Sequence, residues 1–286
     1  MAFDAASYKQ AVKEEWGRAA QGWHDWIPAI NAWLNSVTET MLDQAGVVSG
    51  SRVIDIAAGD GGQSVSAAER VGPSGEVLAT DIAPEFIELA NAVAARMGLT
   101  QLKGEVMDAE SLPLPDDRFD AATSRLGLMY LPDIEKGLSE IKRVLRPGGR
   151  VSAIVFTTAE KTPFFSIPVK LIREKRSLSA PEPGQPGPFS LGTPGHLAGH
   201  FRTAGYQDIQ EQFVQAPLRF ASAGECVRWR REASGTMQQM LSGLDQADKD
   251  DIWAEVTEAL RQFETSDGFV SPCELLICSA AIPNQP

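Results

Sequence analysis

The stretch VIDIAAGDGG, residues 53–62, decides the fold of this chain. Apolar, mostly β-forming residues surround Asp55, two alanines follow, and a cluster of glycines closes the stretch. This pattern predicts a buried strand that ends in a tight loop, where glycine lets the backbone approach a ligand closely. Residues 61–72 then have a helical pattern, and the unpaired N–H groups of that helix would face the same ligand. We therefore expect a nucleotide-containing ligand at this turn.

Short apolar runs alternate with helical patterns on both sides of this stretch. The predicted strands are residues 52–57, 75–82, 102–108, 119–126, 150–157, 206–220 and 273–281. Amphipathic helices follow the first, second and fourth strands, and one of them has Pro84 in its first turn and stops at Gly98. Such alternation predicts right-handed crossovers and an α/β fold with a doubly wound, mostly parallel sheet.

The chain divides into four predicted segments. These are an N-terminal helical lid (1–45), a ligand-binding core (46–158), a Pro-rich cover (159–193) and the end of the core sheet with a helical insertion at about 222–265 (194–286). Prolines crowd the third segment between Pro181 and Pro188, so we expect a mobile cover there rather than an ordered strand.

Tryptophans mark the N-terminal segment and allow two interpretations. They could form an aromatic cage for a cationic acceptor. The simpler interpretation is a buried helical stripe, interrupted at Gly22 and Pro28, and its members are Trp16, Trp23, Ile27, Ile30 and Leu34. The segment could also fold over the ligand while it packs.

Composition limits the partners and the compartment. The formal net charge is −12 and the pI is near 4.8, which argues against binding of nucleic acid or of an anionic membrane. Three cysteines without a CxxC pair fit a reducing compartment, and the opening MAFDAASYKQ leads into no apolar export signal. No run approaches the roughly 18 apolar residues of a membrane span. We expect a cytoplasmic protein with a small-molecule partner, and a homodimer is left open.

The glycine loop allows two ligands. Gly59 and Gly61 could begin a dinucleotide fingerprint, but the third position is Ser64 rather than glycine or alanine. Asp55 would also lie close to the pyrophosphate, and two anions in a poorly screened site repel each other strongly. The same carboxylate suits a ligand with an ammonium and a sulfonium group, which favours S-adenosylmethionine over NAD.

Several motifs together resemble a known family. Asp55, Ala57, Gly59 and Gly61 are similar to the acidic-x-Gly-x-Gly-x-Gly motif of class I S-adenosylmethionine-dependent methyltransferases, with Ala57 in place of the first glycine. Further motifs match between about residues 51 and 157, and residues 108–120 resemble the ubiquinone/menaquinone C-methyltransferase-like subgroup. The resemblance implies a Rossmann-like, seven-stranded sheet with helices on both faces, and S-adenosylmethionine as cofactor.

The resemblance also implies a set of cofactor-binding residues. Asp81 would accept hydrogen bonds from both ribose hydroxyls, Ile82 would pack on the adenine, and residues 108–109 would meet its edge. Asp55 would lie near the ammonium group or brace the glycine loop, and residue 124 or 125 would line the methionine end by its backbone. The full set is Asp55, Ala57, Gly59, Gly61, Asp81, Ile82, Asp108, Ala109, Ser124 and Arg125.

Catalytic and metal-binding candidates are fewer. A sulfonium is already a good leaving group, so a general base is needed only if the acceptor atom must lose a proton; His24 and Tyr130 are the candidates. His196 and His200 lie four apart on a predicted helix, but no acid lies between them and no third ligand is in register, so we expect a solvated helix face and no metal.

A short basic cluster lies in the predicted cover. Its members are Lys161, Lys170, Arg173, Lys175 and Arg176. A solvated helix face is the simplest interpretation. If the cluster lined the pocket, it would favour an acceptor that bears a carboxylate or a phosphate.

The sequence predicts a small-molecule methyltransferase that uses S-adenosylmethionine and in-line displacement. Two alternatives stay open at this point. One is a protein that binds S-adenosylmethionine or S-adenosylhomocysteine without catalysis. The other is an NAD-dependent oxidoreductase, which Asp55, Ser64 and the absence of a Tyr-x-x-x-Lys pair all weaken.

Overall fold

A computed structural model of the chain describes residues 3–179 and 184–284. Seven strands form one sheet: β1 (Arg52–Ile56), β2 (Glu76–Asp81), β3 (Leu102–Val106), β4 (Phe119–Arg125), β5 (Leu145–Phe156), β6 (Gln207–Gln215) and β10 (Glu274–Ala281). Their order is β3-β2-β1-β4-β5-β10-β6. Strand β10 runs antiparallel to both of its neighbours, β5 and β6, and the first five strands are parallel. The predicted doubly wound, mostly parallel, seven-stranded sheet is confirmed.

The centre of the sheet is buried because helices cover both of its faces. Val53, Ile54 and Ile56 of β1 are fully buried, as expected for a strand inside a parallel sheet. The helices packed around the sheet are α3 (Gly62–Val71), α4 (Pro84–Met97), α5 (Ile134–Val144) and α7 (His196–Thr203). The chain order reverses between β1 and β4, and ligands of such sheets bind at the carboxyl ends of the strands beside that reversal.

Two helices form the N-terminal segment, α1 (Ala5–Asp25) and α2 (Ile27–Gln44). The expected interruption at Gly22 is wrong, because α1 continues to Asp25. The break falls at Trp26, and Pro28 lies in the first turn of α2. Gly22 has a packing role instead: an added Cβ would lie 1.9 Å from the backbone oxygen of Glu232.

The Pro-rich cover is partly helical, which corrects the expectation of a mobile segment over its whole length. Helix α6 (Pro163–Arg176) has Pro163 in its first turn, where its missing N–H costs nothing, and tolerates Pro168 inside. Pro181 and Pro183 lie outside the described residues.

The predicted strand over 206–220 is two strands. It breaks at Pro217, which has no N–H to donate, and β7 (Leu218–Phe220) joins a small sheet with β8 (Glu264–Thr265) and β9 (Gly268–Ser271). The expected helical insertion is confirmed as α8 (Ala223–Ala233), α9 (Gly235–Met240) and α10 (Gln246–Leu260). Across residues 3–179 and 184–284, no helix is both long enough and apolar enough to cross a membrane.

Candidate active site

A cavity lies between the carboxyl ends of the parallel strands and the helices above them. The loops at 57–59, 81–82, 107–110 and 125–127 form what we call its sheet side. Residues of α1, α2, α6 and α8 form its helix side. It holds about 1180 Å³ free of protein atoms, open solvent at its mouth included.

Asp55 lies beneath the glycine loop and does not line this cavity. Its carboxylate accepts hydrogen bonds from Ser64 Oγ at 2.5 Å and Thr123 Oγ1 at 3.0 Å. Burial raises the pKa of Asp55 to about 6, against the opposing effect of the two hydroxyls and of Arg125. Asp55 thus joins β1, α3 and β4, and of its two expected roles the geometry favours bracing of the loop.

The glycine loop turns sharply at Ala57. Its φ of 53° lies in the left-handed region that favours glycine, the residue that the matching motif has at this position. Ala57 and Gly59 line the cavity, whereas Gly61 lies outside its lining at the start of α3. Gly127 of the loop after β4 lies so close that an added Cβ would be 2.4 Å from Ala57 Cβ. Small residues therefore let the two loops meet at the cavity.

Asp81 ends β2 and faces the cavity. One carboxylate oxygen accepts a hydrogen bond from the backbone N–H of Gly59 at 2.9 Å, and the other accepts from Ala83 at 3.0 Å. Burial raises its pKa to about 6, although these N–H groups oppose the rise. Each oxygen can accept a second hydrogen bond, so Asp81 can hold two neighbouring hydroxyls of a ligand. Ile82 lines the cavity beside it.

Asp108 and Ala109 line the next part of the sheet side, in the loop after β3. A residue that the sequence did not indicate closes this part. Lys9 of α1 donates hydrogen bonds to Asp108 Oδ2 at 2.7 Å and to Glu110 Oε2 at 2.6 Å. Partial burial disfavours its charge, but the two carboxylates outweigh this and raise the pKa of Lys9. Lys9 thus links the N-terminal helix to the sheet side.

Arg125 at the end of β4 lines the cavity, whereas His24 and Ser124 do not. Its guanidinium donates to Thr38 Oγ1 at 3.0 Å. Asp60 is buried nearby, and His24 Nδ1 lies 3.3 Å from Asp60 Oδ2. Burial raises the pKa of Asp60, and the charges of Arg125 and His24 oppose that rise. His24 therefore contacts the back of the glycine loop, away from the position that a general base would need.

Tyr130 does line the cavity. Burial raises the pKa of its hydroxyl far above the ordinary value, and Glu15 and Tyr8 add to the effect. A phenol held in this state can donate a hydrogen bond but does not take up a proton at neutral pH. The geometry supports Tyr130 as an orienting group rather than as a base.

Aromatic rings dominate the helix side. We call the part lined by Trp33, Phe156, Phe165, Trp229 and Arg230 the aromatic chamber. The Trp33 and Phe156 rings stack with centroids 6.2 Å apart, and Trp33 meets Trp229 edge to face at 6.0 Å. Trp16 also lines the cavity and contacts Tyr130. The N-terminal tryptophans that line the cavity therefore pack against neighbouring rings and also border the space where a ligand would bind.

Sequence reasoning missed Trp229 and Arg230, although one signal was present. The buried face of α8 runs through Ala223, Cys226 and Ala233, and Arg230 lies on that same helical stripe. An arginine on an apolar stripe is uncommon unless the charge has a partner. The basic cluster of residues 161–176 lies elsewhere: Lys161, Lys170 and Lys175 pair with Glu274, Glu174 and Glu255, and none of its members lines the cavity.

The two C-terminal histidines have ordinary contacts. His200 Nδ1 lies 2.8 Å from Glu135 Oε1, and its ring centroid is 4.9 Å from that of His196. In the part of the chain that the structure describes, no group of three or more His, Cys, Asp or Glu residues is arranged to hold a metal ion.

Comparison with known proteins identifies the family. A methyltransferase domain profile matches residues 48–205, more than half of the chain. The chain belongs to this family, and its resemblance to class I S-adenosylmethionine-dependent methyltransferases is confirmed. The structure of the YcgJ protein from Bacillus subtilis has the same Rossmann-like fold, with a TM-score of 0.59 at 19% identity over 88% of this chain and 100% of that chain.

Individual relatives differ in how much they share. An uncharacterized protein of Mycobacterium tuberculosis is 31% identical over 246 residues, 84% of each chain. The ubiquinone/menaquinone biosynthesis C-methyltransferase of Marinomonas sp. is 37% identical over 120 residues, 42% of this chain and 48% of that enzyme. The chain thus spans less than half the length of several curated relatives, 41% for a second protein of M. tuberculosis.

Proposed function

We propose that the protein transfers a methyl group from S-adenosylmethionine to a small-molecule acceptor. One observation carries this proposal: the cavity is continuous from Asp81 and Asp108, at the ends of β2 and β3, to the aromatic chamber. Methyl transfer needs a compartment for the nucleoside-containing cofactor and a second one for a mostly apolar acceptor, and the two compartments must be connected.

The residues of the sheet side fit the cofactor. Asp81 would accept hydrogen bonds from the two ribose hydroxyls, with Ile82 and residues 108–109 around the adenine. Gly59 lets the backbone approach the ligand, and Arg125 supplies a positive charge at the methionine end, where a carboxylate must be held. Asp55 supports the cofactor indirectly, because it lies beneath the glycine loop outside the cavity lining, where it accepts hydrogen bonds from Ser64 and Thr123.

The chain's contribution to the reaction is alignment and exclusion of water. When bound, the cofactor supplies a methyl group on a positively charged sulfur that needs no protonation to leave. The acceptor atom must approach the methyl carbon in line with the breaking carbon–sulfur bond, in a site closed to water. Trp16 and Trp33 close the cavity from above, and the Tyr130 hydroxyl can orient the acceptor by a hydrogen bond.

We extend the proposal to the organisation of the chain. Residues 1–45 act as a lid over a core at 46–158, and the cover (159–193) and the insertion within 194–286 complete the acceptor pocket. The contact of Lys9 with Asp108 and Glu110 supports the lid role. We also propose that the protein works in the cytoplasm without a nucleic-acid or membrane partner; its net charge of −12 and its three free, buried cysteines support this.

Calorimetric titration with S-adenosylhomocysteine, S-adenosylmethionine and NAD tests the cofactor. We expect micromolar binding of the first two and none of NAD. A screen of small acceptors with radiolabelled S-adenosylmethionine then tests turnover. Cofactor binding without transfer to any acceptor would indicate a non-catalytic binding protein, and tight binding of NAD would contradict the proposal.

A further inference from the structure

Arg230 is a buried cation at the acceptor end of the cavity. It lies in α8, is 4% exposed and lines the aromatic chamber. Its guanidinium carbon lies 4.5 Å from the ring centroid of Phe165 and 4.8 Å from that of Trp229. Stacking on aromatic rings holds the guanidinium plane in place but does not neutralise its charge.

The donors of this cation are not used up within the protein. One guanidinium nitrogen donates to Ser234 Oγ at 3.1 Å. Arg230 Nε and the neighbouring Trp229 Nε1 are both buried without a hydrogen-bond partner among the described residues. Over residues 3–179 and 184–284, no carboxylate forms an ion pair with Arg230, whereas the other cavity arginine, Arg125, lies near Asp55 and Asp60. Burial lowers the pKa of Arg230 to about 10, so the group is still charged at neutral pH.

A buried, unpaired charge whose N–H donors lack acceptors costs free energy of folding. A ligand that supplies the opposite charge and the acceptors removes this cost. We propose that Arg230 binds a carboxylate of the acceptor, and that the acceptor is a small aromatic monocarboxylic acid. This inference rests on the proposed function and narrows its substrate class.

The surroundings favour a monoanion with an aromatic body. One guanidinium balances one negative charge, so a phosphate dianion would leave a second charge uncompensated in an apolar chamber. The guanidinium lies over the Trp229 ring, whose Nε1 is also without an acceptor among the described residues. The rings of Trp33, Phe156 and Phe165 offer faces and edges on which a planar ligand packs.

The carboxylate of the cofactor has a different candidate partner. An added Cβ on Gly62 would lie 3.1 Å from an Arg125 guanidinium nitrogen, so Arg125 lies against the glycine loop, where the methionine end is expected. Arg230 lies among the aromatic rings of the helix side. The two arginines can therefore serve two different anions.

The test uses the full chain saturated with S-adenosylhomocysteine. Benzoate, 4-hydroxybenzoate, 4-hydroxycinnamate and indole-3-acetate are titrated by calorimetry, each beside its uncharged primary amide. We expect at least one acid to bind about tenfold or more tightly than its amide, since hydrogen bonds to charged groups are the stronger ones. Arg230→Gln should remove this preference and leave amide binding unchanged, and Arg230→Lys should retain part of it. Arg228→Gln, on the exposed face of the same helix, is the matched control.

The outcomes separate the two proposals. Failure of the wild-type chain to bind S-adenosylhomocysteine counts against the proposed function. Normal cofactor binding without preference for any acid over its amide overturns the role of Arg230. Loss of cofactor affinity in Arg230→Gln also overturns it, because Arg230 would then hold the cofactor carboxylate. Circular dichroism checks folding; if Arg230→Gln does not fold, the acid-to-amide ratio of the wild type and of Arg230→Lys decides.

Discussion

The two sides of the cavity differ in whether their buried polar groups find hydrogen-bond partners within the protein. On the sheet side, two backbone N–H groups hold Asp81, and beneath the glycine loop two hydroxyls hold Asp55. On the helix side, Trp229 and Arg230 keep buried donors without acceptors among the described residues. The two carboxylates are thus hydrogen-bonded within the protein, whereas the Trp229 and Arg230 donors need a ligand to supply acceptors. The difference suggests where the cofactor site ends and acceptor recognition begins.

The physical origin of this difference is the type of element on each side. Parallel strands bring their carboxyl ends to one edge, and the loops there are held by backbone hydrogen bonds. Helices instead present side chains, and their positions depend on ring packing such as that between Trp33 and Phe164 at 5.4 Å. Backbone groups of the sheet side can therefore keep binding the cofactor when side chains of the helix side are replaced and a different substrate is bound.

The largest expected effect is a loss of stability caused by a substitution on the helix side. In Gly22→Ala the new methyl group would meet the Glu232 carbonyl, so α1 must move away from α8. We expect a loss of about 3 kcal/mol in the free energy of unfolding, the upper range for overpacking. Gly199→Ala is the matched control, since nothing lies near its Cβ and alanine favours a helix. Urea denaturation measures both; equal stability of the two variants would contradict this packing account.

The second prediction concerns the pH dependence of stability that Asp55 causes beneath the glycine loop. The pKa of Asp55 is raised from 3.8 to about 6, so between these values the folded chain keeps a proton that the unfolded chain loses. The stability contributed by Asp55 is therefore fully present below about pH 3.8, falls as pH rises to about 6 and is constant above that.

Asp55→Asn removes this titration while it keeps hydrogen bonds to Ser64 and Thr123. Between pH 4 and 7 the free energy of unfolding of the wild type, relative to Asp55→Asn, should fall by roughly 2–3 kcal/mol. Denaturation curves at half-unit pH steps measure this difference. A flat difference for Asp55→Asn would mean that its carboxylate is not desolvated.

The third prediction tests whether the sheet side and the helix side bind their ligands independently. Asp81→Ala should weaken S-adenosylhomocysteine binding by roughly 1–3 kcal/mol, because charge-assisted hydrogen bonds to the ribose are lost. Binding of the small aromatic acids to the free protein should change little. Asp81→Asn should lie between the wild type and Asp81→Ala. Calorimetry measures both ligands, and equal losses for cofactor and acid would show that the two sides are not independent.

The smallest expected effect tests the link between the sides. Lys9 is partly exposed, with 25% of its side chain accessible, and the buried Glu110 keeps its hydrogen bond from the backbone N–H of Asp133, so Lys9→Met should lower the free energy of unfolding by about 1 kcal/mol. Hydrogen exchange in the first turns of α1 should nevertheless become faster, because its tie to Asp108 and Glu110 is lost. Lys13→Met, one turn along α1, is the control. Unchanged exchange in Lys9→Met would contradict a lid held by Lys9.

Much of the fold was predictable from local pattern. The first five strands, the glycine loop and the helical insertion follow from the hydrophobic period and the glycine placement within each run. The expectation failed at Gly22 and in the cover, because close packing against Glu232 and a proline in the first turn of α6 both permit helix where composition alone suggests a break.

The sequence by itself determined the parallel sheet, the ligand-binding turn and the class of ligand, because hydrophobic period, glycine placement and the acids in or just after the first three strands are local properties. Only the tertiary structure decided what each acid contacts and which side chains meet. Asp55 turned inward to Ser64 and Thr123, and Arg230 came to face Phe165 and Tyr130. These contacts join residues far apart in the chain, and side-chain packing sets them, so no local pattern encodes them.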